Sequence, residues 1–141
     1  MTTQAQQQTV GIGKFVQAGL IGGVIAAIIN LVLYFLGNAI NGGPMLVKPP
    51  GITTTQSVPW FMVIVQSILP GVIAGALYGL LARFTARAST IFLVIAAIIF
   101  ILFFLNPLMA AQNVTTIIVL EIMHVVVAAL VIWRILGVAR N

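Results

Sequence analysis

The sequence predicts an all-α protein: a bundle of four membrane-spanning helices with both termini on the cytoplasmic side. Three observations carry this reading. Hydrophobic residues make up 62% of the 141 positions and charged residues only 5%, where a water-solvated domain carries roughly 25%. A surface with so little charge has lipid as its solvent. The apolar residues also gather into four runs long enough to cross a hydrocarbon core of about 30 Å at about 1.5 Å per residue. The runs are continuous rather than alternating, so helices, not barrel strands, satisfy the backbone groups inside the bilayer. Finally, the basic residues sit in the gaps between runs and are unevenly shared between the two sides.

Taken in order, residues 1–13 read as a disordered cytoplasmic tail, rich in Gln and Thr and without apolar periodicity. Residues 14–141 read as one transmembrane domain. The first span covers about 15–36 and is broken only by Gln17, Asn30 and Tyr34. It is longer than a signal-peptide core of about 7–15 residues and is expected to stay in the mature protein. A long outer loop follows, 37–59, in which Gly42-Gly43-Pro44 and Pro49-Pro50-Gly51 forbid a regular helix. The second span covers about 60–82 and contains Pro70, which should kink or locally open it. The third, about 89–105, is expected to end where Asn106-Pro107 disfavours continuation. The fourth covers about 114–133, with Asn113 as its N-cap rather than a glycosylation acceptor. Trp60, Phe61 and Trp133 fall where aromatic belts lie.

Orientation follows from Lys and Arg in short loops. Lys14, Arg83, Arg87, Arg134 and Arg140 all fall on one side of an even-numbered topology, against Lys48 alone on the other. Both termini are therefore expected inside, in a bacterial inner membrane. The same scatter of basic residues makes no patch, so the net charge of +5 does not point to nucleic acid.

Packing signals lie on the first two helices. Gly19 and Gly23 on the first, and Gly71, Gly75 and Gly79 on the second, repeat at fourfold spacing. Lipid gives helices no hydrophobic reason to associate, so close contact through small residues is a main source of packing energy. These grooves are expected to join helices within one bundle or to form a homodimer seam.

The polar residues within the spans single out one place. Asn30, Gln66, Ser67 and Glu121 lie at one level of the outer leaflet, and His124 follows one turn below Glu121. Ionisable groups in spans usually face a partner or a cavity. Carboxylate and imidazole are side chains suited to coupling proton movement to binding, while a hydrogen-bonded network that merely locks helices is the plainer meaning. On this reading Ile117, Glu121, His124 and Ala128 share the relevant face, and Thr115 and Thr116 point elsewhere. Glu-x-x-His is also half of a bundle di-metal site, but the further carboxylates and second His are missing. A lone His excludes bis-histidine haem within one chain, and the absence of Cys excludes disulfides and thiol chemistry. No metal and no cofactor are expected. No nucleophile has a base beside it, so an enzyme is not expected either.

Pro107 and the Met123-His124 pair carry a resemblance to small bacterial four-span membrane proteins of unknown function. In these a Met-His pair sits in the last helix after a proline-marked outer loop. The resemblance implies the architecture and a bacterial origin. By size and span number the chain also resembles small multidrug exporters, but those carry their glutamate in the first helix, where this chain has Asn30. The expected role is binding or transport of a small molecule or ion in a polar pocket roofed by the 37–59 loop. The alternative is an accessory subunit of a larger membrane complex. The expected partners are membrane lipid and a second copy or a larger assembly.

Overall fold

The structure, a computed structural model, describes residues 11–140. The expected tail lies outside the described residues up to position 10. Four helices carry the fold: α1 Ile12–Asn41, α2 Trp60–Phe84, α3 Ala88–Ala110 and α4 Val114–Arg140. Each is long and apolar enough to cross a membrane. The protein is a four-span, all-helical membrane bundle.

The helices outrun the apolar runs. α1 begins at Ile12, so the last two positions of the expected tail are helical, and it continues to Asn41. At about 1.5 Å per residue its length of about 45 Å exceeds the hydrocarbon core. The 37–41 turn is helical because its end is tied. Gly42 adopts a left-handed conformation (φ 70°, ψ 16°), its N–H reaches the Ala39 carbonyl, and Gly43 N–H reaches Asn38. This is the Schellman arrangement that closes a helix on a glycine.

α3 likewise passes Asn106-Pro107 and ends only at Ala110. Pro107 withholds one N–H, and one ladder bond is lost three positions before the helix end. The final turn is buried at Pro107 and Ala110, and the Ala110 carbonyl accepts from Lys48 N–H at 2.7 Å. Tertiary pairing here outweighs the local cost of proline. α2 also runs unbroken through Pro70.

α1 is the central element, packed against α2 on one side and α4 on the other. The five glycines form the α1/α2 seam. A Cβ on Gly19 would run into the Gly71 carbonyl, one on Gly71 into the Gly19 carbonyl, and one on Gly75 into the Phe15 carbonyl. A Cβ on Gly23 would come within 2.8 Å of the Ser67 carbonyl, and one on Gly79 within 3.0 Å of the Ile12 backbone. The seam is thus filled within the chain and leaves no open small-residue groove for another helix. Gly22, on another face of α1, gives α4 the same close approach at Leu130 and Val131.

At the basic end, Phe15, Tyr78 and Phe92 join α1, α2 and α3, with ring centroids 4.7 and 5.2 Å apart. Tyr78 also shares a hydrogen bond of 2.7 Å with Ser89. α3 packs more lightly: 11% of its apolar window is buried against 39% for α1, so most of its surface belongs to lipid.

The 42–59 connection is built rather than loose. Two short antiparallel strands, β1 Leu46–Val47 and β2 Gln56–Ser57, form a hairpin. Val47 also bridges to Ala111, and Gln112 N–H reaches the Leu46 carbonyl. Met45, just before β1, is completely buried against a cluster containing Tyr34, Val63 and Met123.

Candidate functional site

Beneath that cluster lies the polar centre. Asn30 is buried on the same α1 surface as Gly19, Gly23 and Ala26. Its amide donates to Ser67 Oγ on α2 at 3.1 Å and to the Met123 carbonyl on α4 at 3.2 Å. One side chain therefore ties the three packed helices. Ser67 Oγ in turn donates to the Val63 carbonyl one turn away, at 2.7 Å. Donation to an i−4 carbonyl occupies a hydroxyl proton that lipid would leave unmet.

Gln66, expected beside Ser67, is outside this cluster. It is exposed on α2 while Ser67 is 1% exposed. Successive helical residues are turned by about 100°, and the glycine seam chooses the Ser67 side.

Glu121 lies seven residues into α4 from Val114, about 10 Å along the helix. It is 8% exposed, and neither carboxylate oxygen has a hydrogen-bond partner. His124, half-buried on the next turn, has Nδ1 2.7 Å from the Leu120 carbonyl. The bond requires Nδ1 to carry the proton, which makes Nε2 the acceptor of the neutral ring. Asn30 Oδ1 is also buried and unpartnered.

The sequence reading did not single out Thr116. It is fully buried, its Oγ1 without a partner, because the buried surface of α4 includes Thr116, Met123, Val131 and Ile135. The face of Ile117, His124 and Ala128 is only half-buried, with Glu121 its one buried member. Met45 and Tyr34 were missed as neighbours of the centre. A methionine between two loop prolines gives no periodic signal.

The hairpin closes this end of the bundle. Tyr34 Oη donates to the Val58 carbonyl at 2.8 Å, Met45 N–H to Asn38 Oδ1 at 3.0 Å and Val58 N–H to the Met45 carbonyl at 3.0 Å. Asn113 caps α4 through Oδ1, which accepts from Thr116 N–H at 2.8 Å, while its amide donates to Asn41 at 3.0 Å.

The basic residues gather at the opposite end. Lys14, Arg83, Arg87 and Arg140 are exposed there, and Arg134 is half-buried with its guanidinium 5.5 Å from the Trp133 ring centroid. Among the described residues no group of three His, Cys, Asp or Glu side chains could hold a metal ion.

A model of a family of unknown function, DUF6069, matches residues 11–141. No curated protein and no solved structure matches the chain.

Proposed function

The chain belongs to the DUF6069 family, and because that family lends no activity we propose a function from the site: binding, and passage through the bundle, of a small cation or cationic molecule at Glu121. One observation carries this reading. Both oxygens of a buried carboxylate in a membrane span stand without a partner. A carboxylate in hydrocarbon needs a counter-charge, either a proton or a bound cation. Side chains that lock the helices have partners here, as Asn30 Nδ2 and Ser67 Oγ do, whereas Glu121 has none.

His124, its Nδ1 engaged by the Leu120 carbonyl, leaves Nε2 as a further acceptor one turn from Glu121. Asn30 and Ser67 hold the helices, and Glu121 supplies the charge. In a bacterial inner membrane with both termini inside, the centre lies in the outer leaflet under the hairpin.

The test uses the full chain in liposomes and dicyclohexylcarbodiimide, a lipid-soluble reagent that couples to protonated carboxyl groups. Glu121 is the only acidic side chain in the sequence, so peptide mass locates the adduct unambiguously. The expected result is an adduct on Glu121 whose formation is slowed by Na⁺ or by tetraphenylphosphonium as cation probes. If neither cation protects, and Glu121→Gln only lowers stability, the carboxylate is structural and the reading fails.

A further inference from the structure

We infer that the chain pairs with a second copy of itself through the outer half of α2, with Gln66 as the contact that selects the face. α2 has two different faces. Val63, Ser67, Gly71, Gly75, Tyr78 and Gly79 are buried. The opposite stripe, Met62, Gln66, Leu69, Pro70 and Ile73, is exposed. In that stripe Gln66 is the single polar side chain. It lies six residues into the helix from Trp60, about 9 Å along it, too deep for a glutamine to reach the headgroups.

Pro70 supplies an independent reason. Proline has no N–H, so the Gln66 main-chain carbonyl lacks the donor that residue i+4 gives elsewhere in a helix. Gln66 therefore offers lipid an amide with two donor hydrogens and two oxygen acceptors, one of side chain and one of backbone. Unmet polar groups in hydrocarbon are costly, and amide hydrogen bonds between helices are a recognised source of association.

The occupant that fits is a second copy. Donor and acceptor reside on one residue, so a two-fold axis beside Gln66 satisfies both copies at once, each amide donating to the other's free carbonyl. Isologous pairing of this kind is the commonest route to a homodimer. The glycine seam cannot serve, since α1 of the same chain fills it.

The sequence has no cysteine, so single-cysteine variants report proximity cleanly. Met62→Cys, Leu69→Cys and Ile73→Cys are oxidised with copper phenanthroline in native membranes, with Leu102→Cys on the exposed face of α3 as the comparison. Disulfide-linked dimers are expected through the α2 stripe and not through position 102. Energy transfer between labelled chains diluted in liposomes should show dissociation about tenfold easier for Gln66→Leu and close to wild type for Gln66→Asn. Circular dichroism checks that Gln66→Leu keeps its helices, and Gln66→Met replaces it if it does not. The inference is overturned by a monomer at every dilution, by cross-links through α3, by cross-links only to a different protein, or by unchanged pairing of a folded Gln66→Leu.

Discussion

Gly19 and Gly71 lie so close across the α1/α2 seam that a Cβ on either would run into the other's carbonyl. The clash is with backbone, which has no rotamer to change. Gly19→Ala or Gly71→Ala must therefore push two helices apart, and overpacking of a well-packed site costs about 1–3 kcal/mol or more. Both variants should unfold earlier by at least that amount in a denaturant titration of the purified protein. Gly137→Ala is the opposite case. It lies within α4 with nothing within 4 Å of its would-be Cβ, and alanine should stabilise the helix by about 1 kcal/mol. Destabilisation by Gly137→Ala comparable to that by Gly71→Ala would show that the seam is not special.

The asymmetry between Asn30 and Ser67 gives a second expectation. Ser67 Oγ keeps its bond to the Val63 carbonyl when Asn30 is removed, whereas Asn30 loses one of two partners when Ser67 is removed. Asn30→Ala should cost more than Ser67→Ala. A double-mutant cycle should return a coupling of about 0.6–1.7 kcal/mol, the range for interhelical bonds in a membrane. A coupling near zero would mean that the Met123 carbonyl alone holds Asn30.

These two sites also divide what sequence reveals from what it hides. Four apolar runs and glycines at fourfold spacing specify helices and a seam, because both effects are local to one helix. The rotation of α2 about its own axis is not local. Gln66 and Ser67 are adjacent polar residues, and only the backbone approach at Gly71 and Gly75 decides which one faces Asn30. The helix ends were misjudged for two reasons: the turn after Pro107 is held helical by the Lys48 N–H of the hairpin, distant in sequence, and the 37–41 turn by the glycine closure at Gly42 and Gly43. The burial of Thr116 was hidden for the same reason: α4 meets α1 along a stripe that brings Leu130 and Val131 to Gly22, not along its own polar residues.

Asn113 makes two bonds with one side chain, a cap on α4 and a tie to Asn41 at the end of α1. Asn113→Ala should cost about 1 kcal/mol through the cap. Asn113→Asp keeps the accepting oxygen and loses only the exposed tie, so it should recover most of that loss. Equal losses for both variants would assign the stability to the Asn41 contact instead.

Met45 is the residue by which the hairpin enters the core. Met45→Ala leaves a cavity among Tyr34, Val63 and Met123, a change that costs about 2–5 kcal/mol in well-packed cores. Because the hairpin has only short strands, much of the loss should appear as local opening. Hydrogen exchange at Val47, Lys48 and Val58 should accelerate well before that of α1. Uniform acceleration across the helices would mean that the hairpin and the bundle open together.

Orientation can be tested with the cysteine-free background. Thr54 lies exposed in the hairpin loop and Ala86 is exposed between α2 and α3, at opposite ends of the bundle. If basic residues set the topology, Thr54→Cys should react with a membrane-impermeant maleimide in intact cells and Ala86→Cys only after permeabilisation. Replacing Arg83 and Arg87 by Ala leaves three basic residues at that end, five less two, against Lys48 at the other. A fraction of chains should then insert inverted and expose Ala86→Cys. Reaction of Ala86→Cys in intact cells with every arginine present would reverse the orientation. It would put Glu121 nearer the cytoplasmic face, where a cation would meet the carboxylate from inside the cell.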